Sequence, residues 1–163
     1  MQVADRATKG KAIEVLLVFA VLGAGTLVYV LDRPPDSTAV FGSIHLGHGL
    51  PGFFGSLGQS LPTFAHAFSF SILTALWLGG GKRAALPACT GWFAIECAFE
   101  AGQHPSIADG FIGRLPESIQ ALPFVDPFAN YFLMGTFDIG DLIAAAFGAA
   151  TAFVITVCVD VRK

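Results

Sequence analysis

The sequence has little charge for its length. Only 13% of its 163 residues are Asp, Glu, Lys or Arg, whereas 54% are hydrophobic; a soluble domain usually carries about 25% charged residues. The charges are also unevenly placed and leave four long apolar runs. This composition indicates an integral membrane protein of about one domain. Because no Lys/Arg cluster offers a phosphate-binding surface, nucleic acid is not expected as a partner.

The sequence also lacks the common catalytic motifs. It has no Gly-Lys-Ser/Thr phosphate loop, no Gly-x-Ser-x-Gly nucleophile turn, no Cys-x-x-Cys-His haem attachment and no His-Glu-x-x-His zinc helix. We therefore expect no cofactor, and a non-catalytic protein rather than an enzyme. Of the three cysteines, Cys89 and Cys97 would lie about 12 Å apart along one helix, too far for a disulfide. We interpret these two and Cys158 as small core residues.

Four apolar runs are long enough to cross a bilayer as helices, which takes about 20 residues. They are residues 12–31, 61–80, 84–103 and 139–159. The first run follows a basic head but is longer than a usual signal-peptide core, so we expect a retained signal-anchor helix. The predicted fold class is all-α: a single membrane domain, 1–163, with four transmembrane helices. Small residues share one face of the fourth run and predict a close helix crossing: Ala145, Gly148, Ala149 and Ala152.

Two long segments rich in Gly, Pro and Phe connect these runs, at 32–60 and 104–138. Pro and Gly at this density interrupt regular helix, but loops of this length usually contain structure. Seven of the nine Lys and Arg residues lie in the N-terminal head, the Lys82-Arg83 hairpin and the C-terminus. The positive-inside rule therefore places both termini in the cytoplasm and both long loops outside. We expect a multi-pass protein of the bacterial inner (cytoplasmic) membrane.

This orientation places six polar side chains in the outer half of the membrane. Glu96, Glu100 and Gln103 are spaced i, i+4 and i+7, so they share one face of the third helix. The others lie at similar depth on the second helix or at the start of the fourth: His66, Asp138 and Asp141. Polar groups in a membrane are costly unless they are paired or functional. The sequence therefore predicts one pocket beneath the outer loops that binds a ligand or handles protons.

Two other interpretations compete with a pocket. Asp138 or Asp141 could cap the fourth helix and complement its dipole, while His66 could hydrogen-bond a carboxyl group and hold the bundle together. A metal site would need the remaining histidines, but their spacing matches no known helical metal motif, so no metal is predicted: His45, His48 and His104.

Three pieces of this polar pattern carry a family resemblance. They are His66 before an aromatic helix, Glu100-x-x-Gln103, and the run 137–141 (Phe-Asp-Ile-Gly-Asp) with Gly148 seven residues further on. Here the chain resembles the VanZ-like family of small bacterial membrane proteins, named for a teicoplanin-resistance protein. The resemblance spans the second to fourth helices, somewhat over half of the chain. It implies an envelope protein whose outer pocket binds a ligand.

The chain departs from the family pattern at several positions. Family members usually carry Lys shortly before the His, where this chain has Leu61-Pro62-Thr63, and Arg before the Phe-Asp pair, where it has Gly135-Thr136. A family Asn falls on Ala145, and the second outer loop is longer here. Such changes would lose or alter a family ligand site.

Two functions of different classes follow. The first is a VanZ-like envelope protein with an outer-leaflet pocket for a lipid or polar headgroup, its partners being membrane lipids. The second is an accessory subunit of a larger membrane complex, photosynthetic or respiratory, that docks through its helices and Phe-rich outer loops.

Overall fold

The computed structural model describes residues 2–32, 52–112, 131–133 and 135–161, with single positions 114, 116 and 129. Expectations for most of the first long loop and for the middle of the second lie outside these residues. The described chain is helical and contains no strand. The all-α prediction is confirmed.

Among the described residues, four long helices form a bundle and a short helix follows the third. Helix α2 packs against α1, α3 and α5, and α3 also packs against α5. In chain order the helices are α1 (Gln2–Leu31), α2 (Leu57–Trp77), α3 (Lys82–Gly102), α4 (Pro105–Ile112) and α5 (Ile139–Val161).

The helix bounds differ from the apolar runs mainly at the ends. Helix α1 begins at Gln2 rather than at residue 12, because the head contains Ala and Lys, which favour helix, and no proline. Helix α2 ends at Trp77, before residue 80, because three consecutive glycines follow with φ angles of 101°, 79° and 76°. Only glycine adopts such angles without strain. The tight α2–α3 hairpin therefore depends on Gly79, Gly80 and Gly81.

Two helical segments are long and apolar enough to cross a membrane: Thr8–Leu31 in α1 and Ile139–Asp160 in α5. Only 22% and 28% of their most apolar windows are buried in the bundle, and Phe19 and Phe147 are 69% and 65% exposed. A core helix of a soluble protein would bury such side chains. Helices α2 and α3 do not reach the same apolarity, since polar residues interrupt them.

The centre of the bundle is apolar and draws on all four long helices. Its buried residues are Val18, Phe68, Ile72, Cys89, Ala149 and Ala152. The core interpretation is thus confirmed for Cys89, whereas Cys97 is half-buried and Cys158 is exposed. The core interpretation is wrong for Cys158, because this residue lies one turn from exposed Val154, on the outward side of α5.

Helices α2 and α5 approach each other closely at the predicted small-residue face. Gly148 is buried, and a Cβ atom there would lie 2.6 Å from the Phe64 carbonyl oxygen and 3.1 Å from the Phe68 nitrogen. Ala145 and Ala152 are fully buried on the same face. The predicted close crossing is confirmed.

The two ends of the bundle differ in charge. A Cβ atom on Gly10 would lie 2.6 Å from Val159, and one on Gly81 would lie 2.7 Å from Asp160, so the start of α1, the α2–α3 hairpin and the end of α5 are together. This end, called the basic end, carries Lys9, Lys11, Lys82 and Arg83. The opposite end is called the acidic end, and the Asp32 carboxylate there accepts the backbone N–H groups of Phe53 and Phe54, each at 2.9 Å.

We predict that Gly148→Ala destabilises the bundle by about 1–3 kcal/mol, because the new methyl group meets backbone atoms of α2 that cannot move aside cheaply. The matched control is Gly91→Ala in α3, where an added Cβ meets nothing within 4 Å. There we expect no loss, or a gain of about 0.5–1 kcal/mol from helix propensity. Unfolding in detergent micelles, followed by circular dichroism, measures both. Equal effects of the two substitutions would contradict the close crossing.

Candidate functional site

One face of α3 carries acidic and amide side chains into the acidic end of the bundle. Glu100 is only 5% exposed and Gln103 is also buried, while Glu96 is half-buried one turn below Glu100. The sequence predicted this shared face from the i, i+4 and i+7 spacing. Burial of these groups requires partners from other parts of the chain.

The start of α5 supplies the first partner. The backbone N–H of Asp138 donates a hydrogen bond to Oε2 of Glu100 at 3.1 Å. The Oδ1 atom of Asp138 accepts the N–H of Gly140 at 2.7 Å, which is the geometry of a helix N-cap. The capping interpretation therefore holds for Asp138, and the same residue fixes Glu100 through its main chain.

Asp141 lies close to the two glutamates. It interacts electrostatically with both Glu96 and Glu100. Its Oδ1 atom is buried and finds no hydrogen-bond partner among the described residues. A buried polar atom without a partner destabilises the fold by about 1–3 kcal/mol. A proton, a water molecule or a hydrogen-bond donor from a ligand would remove this cost.

The segment before α5 covers this group of side chains. The Phe99 ring of α3 stacks on Phe132 at 5.8 Å and meets Tyr131 edge-on at 5.9 Å. The Tyr131 hydroxyl and the Gln103 side chain share a hydrogen bond. Partial burial, reinforced by the charge of Glu100, raises the pKa of Tyr131 to about 12. Its hydroxyl therefore keeps its proton at neutral pH.

The backbone of Gly135 lies close against the Gln103 side chain. A Cβ atom on Gly135 would lie 2.6 Å from Oε1 of Gln103 and 2.7 Å from the Tyr131 carbonyl oxygen. The group formed in this way is called the carboxyl site: Glu96, Glu100, Gln103, Tyr131, Asp138 and Asp141.

His66 lies in a different environment. Its ring stacks on Phe70 with centroids 5.6 Å apart, and Phe70 packs on Trp92 at 4.8 Å. The Trp92 indole N–H donates to Oγ1 of Thr74 at 2.8 Å, which ties α3 to α2. Among the described residues no hydrogen bond or charge contact joins His66 to a carboxyl group. The other five predicted residues are connected by hydrogen bonds or electrostatic interactions. The contacts described for His66 are those of an aromatic stack between α2 and α3.

Sequence reasoning missed three residues. Tyr131 was assigned to no site. Tyr29, near the end of α1, interacts with it electrostatically. The only sequence signal for these two residues was that aromatic side chains often lie at the ends of apolar runs. Glu14 is 2% exposed within α1. A single acidic residue inside an otherwise apolar run could have identified it.

The described residues contain no group of three or more His, Cys, Asp or Glu side chains placed to hold a metal ion. His45 and His48 lie outside the described residues.

Comparison with known proteins gives no match: no family model, no curated protein and no solved structure is significantly similar to this chain. The class supported by the fold is an all-helical bundle with two helices apolar enough for a membrane. The VanZ-like resemblance stays a prediction.

We predict that Asp138→Ala lowers the free energy of unfolding by about 1 kcal/mol, since it removes the N-cap acceptor of α5. Asp138→Asn is the control, because an Asn oxygen accepts the same Gly140 N–H and leaves the backbone bond to Glu100 in place. Thermal unfolding in detergent measures the two variants. If Asn destabilises as much as Ala, the cap is not what Asp138 contributes.

Proposed function

We propose that this chain is a non-catalytic, VanZ-like membrane protein of the bacterial cell envelope, with four membrane-spanning helices and a carboxyl site that binds a lipid headgroup carrying an amine. The observation that carries the proposal is the buried, unpartnered Oδ1 of Asp141 beside two further acidic side chains. Such a site is complete only when a proton or a hydrogen-bond donor enters it.

The four-span arrangement is supported by helix length and packing. Helices α2 and α3 each contain 21 residues, which is about 31 Å at 1.5 Å per residue and close to the thickness of a bilayer core. Helix α2 packs against both apolar helices, α1 and α5, and α3 packs against α5. The polar groups of α3 that lower its apolarity lie toward α5 and the carboxyl site, as expected for polar residues within a membrane bundle.

The orientation is supported by charge. Lys9, Lys11, Lys82 and Arg83 gather at one end of the bundle, and cytoplasmic segments are usually the ones that carry excess Lys and Arg. The carboxyl site then faces the outer leaflet of the inner membrane, and both termini are cytoplasmic.

The preference for an amine follows from the charges of the site. Its members include four carboxyl groups and no basic side chain, and the chain lacks the Lys and Arg of the family pattern at Leu61-Pro62-Thr63 and Gly135-Thr136. An ammonium group offers several donor hydrogens and a positive charge, and hydrogen bonds between charged groups are the strong ones. The Tyr131 ring also offers a face to a cation.

The VanZ-like part of the proposal is supported by the convergence of separate motif residues. Glu100 and Gln103 come from α3, whereas Asp138 and Asp141 come from the start of α5, and the Glu100–Asp138 hydrogen bond joins the two segments. Two of the three motif pieces, Glu100-x-x-Gln103 and the run 137–141, therefore meet at one place in the bundle.

We predict that a cysteine introduced at the acidic end is labelled from outside the cell, and one at the basic end is not. Ser56→Cys and Lys82→Cys are suitable because both positions are exposed at opposite ends; the three native cysteines are first replaced by serine. A membrane-impermeant maleimide applied to intact spheroplasts should label only the first, and permeabilised cells should show both. Labelling of both variants in intact spheroplasts, or of Lys82→Cys alone, would overturn the orientation.

We predict that the purified protein retains phosphatidylethanolamine in preference to phosphatidylglycerol, as measured by native mass spectrometry from mixed-lipid nanodiscs. The double variant Glu96→Gln/Asp141→Asn should lose at least about tenfold in affinity, since hydrogen bonds to charged groups contribute about 1.5–3 kcal/mol. Asp160→Asn, an exposed carboxyl group at the basic end, is the matched control and should bind normally. Equal retention of both lipids, or unchanged retention by the double variant, would overturn the headgroup proposal.

The accessory-subunit hypothesis has one observation in its favour. Phe53 and Leu57, at the acidic end, are strongly exposed, and large apolar groups there suit a protein contact as well as a lipid one. Native mass spectrometry after gentle extraction from the source membrane tests it. Comigration with a larger complex at fixed stoichiometry would support this hypothesis, and a lone protein carrying lipid would reject it.

A further inference from the structure

The oxygen atoms of the carboxyl site differ in whether they are already bonded. Oε2 of Glu100 accepts the Asp138 N–H, and Oδ1 of Asp138 accepts the Gly140 N–H. Oδ1 of Asp141, in contrast, is buried without a hydrogen-bond partner among the described residues. The Glu96 carboxyl group forms no hydrogen bond with them either, although it interacts electrostatically with Glu100 and Asp141. Glu96 and Asp141 are therefore the carboxyl groups that keep acceptors for a ligand.

Tyr131 brings a third acceptor to the same place. Its ring meets Phe99 edge-on with centroids 5.9 Å apart, and its hydroxyl hydrogen-bonds the Gln103 side chain and interacts electrostatically with Glu96. The backbone N–H of Gly135 donates to the Tyr131 carbonyl oxygen at 3.1 Å and ties the main chain around it. The Tyr131 side chain is 50% exposed, so a ligand can reach it from outside the bundle.

The Tyr131 hydroxyl is suited to accept a hydrogen from a ligand. Its pKa, raised to about 12 mainly by burial, keeps the phenol neutral at physiological pH. A neutral phenol is both a donor and an acceptor, so one hydrogen bond with Gln103 leaves its oxygen able to form a second. Tyr131 therefore adds an uncharged acceptor to two carboxyl groups.

These three acceptors match the donors of a primary ammonium group. Such a group has three N–H hydrogens that point in different directions. The acceptors come from three segments of the chain: Glu96 from α3, Asp141 from α5, and Tyr131 from the segment before α5. A trimethylammonium group has the same charge but no N–H hydrogen, so it would leave all three acceptors unsatisfied.

Among the described residues, the aromatic rings around the site do not form a cage for a trimethylammonium group. Such a cage surrounds the cation with several open ring faces. Here Phe99 and Phe132 stack on each other with centroids 5.8 Å apart, so each turns one face to the other, and Tyr131 lies nearly perpendicular to both. The Tyr131 ring alone attracts either kind of cation. The choice between them therefore depends on the hydroxyl.

We propose that the Tyr131 hydroxyl is the specificity determinant of the carboxyl site, and that it selects a primary ammonium headgroup over a trimethylammonium one by accepting one of its hydrogens. Glu96 and Asp141 accept the other two. Gln103 is a positioning residue, because its hydrogen bond fixes the orientation of the hydroxyl. The inference rests on the headgroup proposal and adds to it which amine is bound and which residue decides.

The experiment compares phosphatidylethanolamine with phosphatidylcholine, because these lipids share the phosphate and the net charge and differ at the nitrogen. The full-length protein is placed in nanodiscs that contain equal amounts of both lipids with matched acyl chains, and native mass spectrometry counts the retained lipids. We expect the wild type to retain phosphatidylethanolamine over phosphatidylcholine by at least about tenfold. Tyr131→Phe keeps the ring and should lower phosphatidylethanolamine retention by about tenfold without changing phosphatidylcholine retention.

A matched control and a second variant accompany Tyr131→Phe. Thr136→Val removes an exposed hydroxyl from the same segment and should leave the retention of both lipids unchanged. Tyr131→Phe leaves buried Gln103 without its partner, which destabilises the fold. Tyr131→Phe/Gln103→Leu removes both partners, a change that is nearly neutral for stability, and it should lose the same selectivity.

The outcomes separate this inference from the headgroup proposal. Wild-type protein that retains phosphatidylethanolamine no better than phosphatidylglycerol would reject the headgroup proposal itself. Wild-type protein that prefers phosphatidylethanolamine to phosphatidylglycerol but not to phosphatidylcholine would overturn this inference alone. Folded Tyr131 variants whose ratio of the two zwitterionic lipids stays that of the wild type would also overturn it, whether or not total retention falls.

Discussion

Helix α5 can lie directly against α2 only because residue 148 has no side chain. The backbone of α2 fills the space where a Cβ would stand, so the approach is set by main-chain contact rather than by interdigitating side chains. Close contact between helix backbones is a principal source of association within a membrane, where the hydrophobic effect contributes little. The position of α5 then determines where its first turn lies. That turn contacts the end of α3, and this contact forms the carboxyl site.

The bond between the Asp138 N–H and Glu100 shows how the carboxyl site is held together. A helix N-terminus has unsatisfied N–H groups and a partial positive charge, and here a buried glutamate uses both. The Asp138 side chain satisfies another N–H of the same turn. Two carboxylates are thereby fixed by the helix end itself. Asp141 lies inside the first turn of the same helix, beyond the reach of these donors, and is the group left with an unpartnered oxygen.

Much of this architecture could be predicted from the sequence, for reasons that are local. Apolar runs of about 20 residues define helices whatever their surroundings, and the i, i+4, i+7 spacing places Glu96, Glu100 and Gln103 on one face. The Gly148 crossing was visible as a row of small residues. What could not be predicted depends on rotation and distance in the folded chain. The stacking of His66 on Phe70 is one example, because hydropathy does not report which way a helix is turned. Tyr29 and Tyr131 are 102 residues apart in sequence, so no local pattern connects them. Glu14 was overlooked because the apolar run that contains it has a high mean hydropathy.

The occupied first turn of α5 also constrains what the carboxyl site can recognise. A helix N-terminus would ordinarily suit a phosphate or another anion. Here the Gly140 N–H is bound to Asp138 and the Asp138 N–H to Glu100, while the N–H groups of Asp141 and Leu142 bond to the Asp138 carbonyl. An anion would find these donors already bonded, and it would lie beside the carboxyl groups of Glu96 and Asp141, which have no positive charge to offer it. No Lys or Arg side chain belongs to the described site, so none of its side chains would attract an anion. A ligand of this site must therefore bring its own donor hydrogens, and a positively charged one meets the charge pattern that the chain already presents.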